Sequence, residues 1–310
     1  MHIYLPIAEM PVDVFLILLL GGIAGLLSGM FGVGGGFLMT PLLIFIGIPP
    51  AVAVSSSANQ IIAASFSGFM AHWRRNNVDF KMGSFLLIGG LCGSTAGVGI
   101  FALLKSVGQI DLVISLTYVI FLGGIGSLMA IESFRTNWQN SPHRKTLPIP
   151  RKNKINRFHQ IPLPWVMEFP RSGLTISACL PTAIGFGVGI LVSIMGVGGG
   201  FVMIPAMLYV LGMPTSVVIG TSLFQIVFIT ANVTLLQAIN THTVDVVLAS
   251  LLLASSVVGA QVGTRWGLKL ASEQIRALLA VMVLGVALKL AVGLVLTPDN
   301  LYDVVAVGGK

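Results

Sequence analysis

Two short polar runs, residues 55–60 and 220–225, carry side chains that could bind a ligand within otherwise apolar segments. One shift in numbering pairs Ser56 with Thr221, Ser57 with Ser222 and Gln60 with Gln225. Hydroxyl and amide groups donate hydrogen bonds without carrying a charge, so they can bind an anion where water is scarce. The alternative is that such groups only tie neighbouring helices together. The predicted ligand-binding side chains are Ser56, Ser57, Asn59, Gln60, Thr221, Ser222 and Gln225.

A glycine-rich motif precedes each polar run, and its two copies are nearly identical. Residues 32–41 read GVGGGFLMTP and residues 196–205 read GVGGGFVMIP, so the copies differ at only two positions. Glycine has no Cβ and readily interrupts a helix, which exposes backbone N–H groups. In hydrocarbon an exposed N–H group costs several kcal/mol unless it lines a cavity or meets a ligand. We therefore expect the same ligand site to include the backbone of Gly34, Gly35, Gly36, Gly198, Gly199 and Gly200.

The composition is that of a membrane protein. Hydrophobic residues make up 55% of the chain and charged residues only 9%, and the mean hydropathy is +0.96. A soluble domain usually has about a quarter charged residues. Apolar runs of about 20 residues match the hydrocarbon thickness of a bilayer and favour helices over barrel strands. The net charge of +7 does not indicate a nucleic-acid partner, because the basic residues concentrate in loops. The expected surroundings are a lipid bilayer.

The duplicated motif divides the chain into two homologous halves. We predict an all-α polytopic membrane protein with two inverted halves, each with a glycine-broken helical hairpin and three transmembrane helices. Glycines repeated at four-residue spacing in the first segment should let another helix approach closely. The predicted spans are 51–71, 83–104, 112–131, 215–236, 244–263 and 275–296. The predicted segments are an external N-terminus (1–13), a first transmembrane repeat (14–131), a basic cytoplasmic linker (132–173), a second transmembrane repeat (174–296) and an external C-terminal tail (297–310).

Loop charges predict the opposite orientation of the halves. The linker is the most basic loop, and Arg74 and Arg75 lie in the first loop between spans, so both belong on the cytoplasmic side. The equivalent loop of the second half, residues 239–243, contains no Lys or Arg. Equivalent loops therefore lie on opposite faces, and both termini are expected outside the plasma (inner) membrane. The inversion holds whether or not the broken hairpins cross the membrane fully.

Few ionisable groups lie within the predicted spans. No Asp or Glu falls near the centre of a span, so a carboxylate proton relay is not evident. His72 and His242 at span ends, and Lys289 inside the last span, are candidates for coupling or for electrostatic attraction of an anion. The simpler alternatives are interfacial histidines and a lysine that reaches outward to the membrane surface. We expect no metal and no cofactor.

The enzyme alternative has little support. The sequence has no zinc-protease, serine-hydrolase or phosphate-binding lysine motif, so we do not expect an enzyme.

The duplicated glycine motif, with Pro41 and Pro205 and the polar runs that follow, resembles the TauE/SafE family of sulfite and organosulfonate exporters. The resemblance covers nearly the whole chain and implies a secondary transporter that exports a small sulfur-containing anion, such as sulfite or sulfoacetate. A passive anion channel of the same architecture and a non-transporting accessory membrane protein are the alternatives. A transporter of this family could also form a homodimer. The sequence leaves open the anion, the transport direction, the coupling ion and the oligomeric state.

Overall fold

A computed structural model describes residues 2–31, 36–139, 165–267 and 272–295. Helices dominate this part of the chain. The described helices that are long and apolar enough to cross a membrane are Phe80–Ser106, Ile110–Leu128, Val217–Asn240 and Val246–Gly263. Gly34 and Gly35, most of the predicted linker and the predicted C-terminal tail lie outside the described residues.

The first half begins with an unpredicted β-hairpin and continues with five helices. Ile3 pairs with Val12 across the two strands of this hairpin. Helix α3 has 25 residues, but the polar run 55–60 lowers its hydropathy. The elements are β1 (His2–Leu5), β2 (Met10–Asp13), α1 (Val14–Phe31), α2 (Gly36–Phe45), α3 (Pro50–Arg74), α4 (Phe80–Ser106) and α5 (Ile110–Gln139).

The second half repeats this order, with one local difference after the glycine motif. Pro205 has no N–H group to donate, and the helix continues beyond it as a π-helix. The elements are β3 (Val166–Phe169), β4 (Leu174–Ser177), α6 (Cys179–Met195), α7 (Gly200–Pro205), the π-helix (Ala206–Leu211), α8 (Thr215–Asn240), α9 (Val246–Gly267) and α10 (Ser272–Val295). Strand β3 lies within residues that the sequence assigned to the linker, whereas β4 occupies the first four residues of the predicted second transmembrane repeat.

Each half packs its first helix against the other half. Helix α1 packs against α9, α6 packs against α4, and the equivalent helices α3 and α8 pack against each other, as do α5 and α10. Exchanging the two halves therefore leaves this set of contacts unchanged. Glycines allow the close crossings: a Cβ at Gly93 would collide with the Phe186 carbonyl oxygen, and a Cβ at Gly25 with the Ser256 carbonyl oxygen.

We expect Gly93→Val to destabilise the protein by about 1–3 kcal/mol or more, because the obstructing atom is backbone and α6 must move away. Gly99→Val is the matched control on the same helix, since a Cβ at Gly99 meets no atom within 4 Å. The measurement is the temperature at which each purified variant loses its monodisperse gel-filtration peak. Equal loss of stability in both variants would contradict this account of the α4–α6 contact.

Each β-hairpin lies beside the point where the chain returns after the glycine motif. Leu5 and Val12 of the first hairpin share an apolar cluster with Leu43 and Ile48, at and just beyond the end of α2. In the second half, the equivalent cluster is formed by Phe169 and Ile176 of the hairpin with Leu211, Met213 and Val217. The chain therefore leaves a β-hairpin along α1 or α6 and comes back to the same hairpin.

Candidate functional site

The second glycine motif separates two helices. Helix α6 ends at Met195 and α7 begins at Gly200. Between them Gly196, Gly198 and Gly199 have φ angles of +66°, +73° and +75°, a region that residues with a Cβ rarely adopt. In the first half, α1 ends at Phe31 and α2 begins at Gly36, and residues 32–35 between them lie outside the described part.

The two glycine motifs meet in the interior of the protein. The rings of the equivalent residues Phe37 and Phe201 stack with their centroids 4.9 Å apart and an interplanar angle of 11°. A Cβ added at Gly36 would lie 3.1 Å from the carbonyl oxygen of Val197. Phe37, Phe201 and Val197 are all buried. The structure therefore brings the second glycine motif and the described end of the first to one place, which we call the glycine-motif site.

Helix α3 lines this site through Ile61. A Cβ at Gly198 would lie 2.5 Å from Cγ2 of Ile61 and 3.5 Å from Cγ2 of Ile226, the equivalent residue on α8. The side chain of Ile61 also occupies the space above Gly36. The residues just before these isoleucines are Gln60 and Gln225, two of the predicted ligand-binding residues.

Gln60 and Gln225 are buried, and their amide oxygens have no hydrogen-bond partner in the part of the chain that the structure describes. Their side chains are 3% and 1% exposed, and the Oε1 atom of each is unbonded among the described residues. A buried polar group without a partner costs about 1–3 kcal/mol. The same unfavourable arrangement occurs at equivalent positions of both halves, next to the residues that pack on the glycine motif.

The hydroxyl groups that were predicted to bind a ligand, by contrast, form hydrogen bonds within the protein. The Oγ atom of Ser56 accepts a hydrogen bond from the backbone N–H of Asp245, and Oγ1 of Thr221 accepts one from the backbone N–H of Asp79, both at 3.0 Å. Ser222 donates to the carbonyl of its own helix at Ile219. These hydroxyls therefore position helices in this structure.

Ser57 and Asn59 complete the first polar run. The hydroxyls of Ser57 and Thr40 are 2.7 Å apart and share a hydrogen bond, and Ser57 also donates to Val54 of its own helix. Asn59 is half-buried. Its counterpart by the same numbering shift is Phe224, which packs among Phe69, Phe80 and Phe228, so the two halves differ here.

Tyr118 is a residue of this region that the sequence reasoning missed. It is fully buried, and its hydroxyl donates to the carbonyl oxygen of Met195, the last residue of α6, at 2.5 Å. Thr40 shares a side-chain hydrogen bond with Tyr118. The sequence did contain a signal for Thr40, because position 40 is one of the two where the glycine motifs differ. The numbering shift that pairs Ser57 with Ser222 pairs Tyr118 with Val283, so the first half contributes more polar groups than the second.

The three candidate coupling residues lie in three separate places. His72 is near the end of α3, next to Gly220, and its Nδ1 atom is buried without a partner among the described residues. His242 follows α8 and is exposed. Lys289 lies on the exposed side of α10, with its Nζ atom 4.0 Å from the ring centroid of Phe45. Within the described ranges, no group of three His, Cys, Asp or Glu residues could hold a metal ion.

Comparisons with known proteins agree with a membrane transporter. The family model described as Sulfite exporter TauE/SafE matches residues 17–290. The protein named Probable membrane transporter protein YjnA, from Bacillus subtilis (strain 168), is 29% identical over 277 residues, which cover 88% of this chain and 98% of that protein. Probable membrane transporter protein YunE from the same strain is 28% identical over 221 residues, covering 68% of this chain and 73% of that protein.

A plant relative gives a shorter match. Sulfite exporter TauE/SafE family protein 3 of Arabidopsis thaliana is 34% identical over 116 residues, which cover 34% of this chain and 24% of that protein. No solved structure matches the chain significantly. Because the family model covers most of the chain, and several apolar helices are long enough to cross a bilayer, this multi-pass membrane protein belongs to the sulfite exporter TauE/SafE family.

Proposed function

We propose that this protein is a secondary transporter that binds a small sulfur-containing anion at the glycine-motif site and exports it across the plasma membrane. The observation that carries the proposal is that the buried amide oxygens of Gln60 and Gln225 have no hydrogen-bond partner among the described residues. Both lie on the helices that line the meeting point of the two glycine motifs. Turning each side-chain amide by about 180° about its last bond would place the N–H₂ group where the unbonded Oε1 atom now lies, and the amide could then donate to an oxyanion.

Backbone groups supply the other donors. Helix α2 begins at Gly36, so the positive end of its dipole lies where the two motifs meet. The interrupted backbone at Gly198 and Gly199 leaves N–H groups outside a helical ladder. We assign the ligand contacts to these groups, with Gly34, Gly35 and Gly200 as the adjoining residues of the two motifs.

We further propose that the two halves are inverted repeats, each with a re-entrant hairpin that enters and leaves on one face. The support is the return of α2 to the first β-hairpin and the equivalent return of the π-helix to the second. Helix α3, with 25 residues, is about 37 Å long and can cross the bilayer fully. In this arrangement the N-terminal β-hairpin and the last residues of α10 lie outside, and the segment between α5 and β3 lies in the cytoplasm.

Family membership supports the choice of a sulfur-containing substrate. The names of the family and of the plant relative specify sulfite export, and we carry that activity to this chain as part of the proposal. The alternative is a passive anion channel through the same site, which the saturation of flux with concentration would distinguish from a carrier.

We expect sulfite or sulfoacetate to stabilise the purified protein against heat, since a ligand that binds only the folded state adds about 2.7 kcal/mol at a concentration of 100 times Kd. The measurement is a thermal-unfolding series in detergent, with chloride at equal ionic strength as the control for non-specific anions. A protein stabilised equally by chloride and by the sulfur oxyanions would contradict the proposed substrate class, and a protein stabilised by none of them would contradict the proposed site.

A further inference from the structure

Two equivalent aspartates join the halves of the protein at places away from the glycine-motif site. We define the Asp79 cluster as Asp79, Ser172 and Thr221, and the Asp245 cluster as Asp245, Ile7 and Ser56. Both carboxylates are 1% exposed, and neither has a cationic partner among the described residues. The sequence matches Val78-Asp79 to Val244-Asp245 but does not indicate what these residues do.

The two oxygens of the Asp79 carboxylate accept hydrogen bonds from different halves of the protein. Its Oδ1 atom accepts from the backbone N–H of Met82 and caps α4 of the first half. Its Oδ2 atom accepts from both the backbone N–H and the hydroxyl of Ser172, in the β3–β4 hairpin of the second half, at 3.1 and 2.5 Å. Helix capping alone would need only one of these oxygens.

The Asp245 carboxylate repeats the arrangement with the halves exchanged. Its Oδ1 atom accepts from the backbone N–H groups of Val247 and Leu248 and caps α9. Its Oδ2 atom accepts from the backbone N–H of Ile7, in the β1–β2 hairpin of the first half, at 3.1 Å. In both clusters the aspartate backbone N–H donates to a hydroxyl of the other half, Ser56 or Thr221.

The two clusters lie at opposite ends of the helix pair α3–α8. This pair is antiparallel: Ser55 near the start of α3 shares a hydrogen bond with Thr243 just beyond α8, whereas His72 near the end of α3 lies beside Gly220 near the start of α8. Ser56 and His72 are sixteen residues apart, or about 24 Å along the helix. Ile61, which packs on the glycine motifs, lies between them.

We propose that Asp79 and Asp245 are positioning residues that hold closed two opposite entrances to the glycine-motif site, and that each entrance opens when one cluster loses its bonds between the halves. The idea rests on the proposed transport site. The Asp79 cluster fastens the β3–β4 hairpin to the first half, and the Asp245 cluster fastens the β1–β2 hairpin to the second half. Each hairpin packs against the returning helix of the half to which the hairpin belongs. Releasing one Oδ2 atom therefore loosens one β-hairpin and its broken helix, while the equivalent cluster at the other end stays bonded. In the second half, exposed bonds from Arg171 to the carbonyl oxygen of Asn76 and from Lys81 to the carbonyl oxygen of Glu168 also hold the hairpin, and the Asp79 bonds are the buried part of this attachment.

The test uses a single reporter cysteine at Val197, which is buried where the two motifs meet. Cys92 and Cys179 are first replaced by Ser, and a membrane-impermeant maleimide is applied from each side of the membrane in turn. Arg75→Cys and Ser106→Cys, both at exposed positions, identify the two faces.

Asp79→Asn keeps an oxygen to cap α4 but puts an N–H₂ group where Ser172 donates, so it should raise labelling at position 197 about tenfold from the Arg75 face alone. Asp245→Asn should raise it by a similar factor from the Ser106 face alone. Ser172→Ala leaves the cap of α4 intact and removes one bond to Asp79, so it should act on the same face as Asp79→Asn with a smaller effect.

The proposal would be overturned if labelling at position 197 stayed unchanged in Ser172→Ala and in both Asn variants. It would also be overturned if labelling rose equally from both faces of the membrane. A variant that fails to fold is recognised by gel filtration, and Ser172→Ala then decides. Because labelling needs no substrate, a protein that carries no anion can still support this inference, and a protein that carries one can still contradict it.

Discussion

A Gly198→Leu variant is expected to insert into the membrane and to lose anion transport down to the background of empty vesicles. Gly198 has a φ of +73°, where any residue with a Cβ is strained, and the added carbon would lie 2.5 Å from Cγ2 of Ile61. Two effects therefore act together, and both displace the backbone N–H groups that we assign to the ligand. The measurement is flux per molecule of reconstituted protein.

The matched control is Gly187→Leu, on α6 of the same half. A Cβ at Gly187 meets nothing within 4 Å, and the position is exposed. It should therefore keep most of the wild-type flux. Wild-type flux in a correctly folded Gly198→Leu protein would show that the second glycine motif is not the ligand site.

Replacing Gln60 and Gln225 by Leu is expected to make the protein more stable and less active. Each substitution removes a buried amide oxygen that has no partner among the described residues, which can stabilise the folded state by up to about 1–3 kcal/mol. Transport should fall about tenfold or more for each amide, because a hydrogen bond to a charged group is worth about 1.5–3 kcal/mol. Thermal unfolding and flux are measured on the same preparation.

Thr234→Val provides the control for this pair. Its Oγ1 atom is also buried without a partner among the described residues, on the same helix as Gln225 but more than two turns farther along. We expect this change to leave flux nearly unaltered. A double Leu variant that loses stability and keeps its flux would indicate that the amides serve packing and not the ligand.

The sequence located the glycine motifs but could not establish the roles of the polar residues around them. The near-identity of residues 32–41 and 196–205 is visible by inspection, and the stacked Phe37 and Phe201 come from this repeat. Ser56 and Thr221 were predicted to bind a ligand because they lie in polar runs. Their partners are the backbones of Asp245 and Asp79, which are distant in sequence, so no local pattern could reveal these bonds.

The β-hairpins escaped prediction for a different reason. Each strand has only four residues, and a two-stranded sheet this short is stabilised by what it packs against. The first hairpin gains its support from Leu43, Ile48 and Leu248, and the second from Met207, Leu211 and Val217. Those contacts depend on the return of the chain after each glycine motif, which hydropathy alone does not specify.

The most direct test of the transporter is uptake of radiolabelled sulfite by proteoliposomes that contain the purified protein. We expect uptake that saturates with concentration, exceeds that of empty liposomes and is absent with Gly198→Leu. Uptake that rises linearly without saturation would favour the channel alternative. No uptake of sulfite, sulfoacetate or thiosulfate above empty liposomes, from a correctly folded protein, would contradict the account.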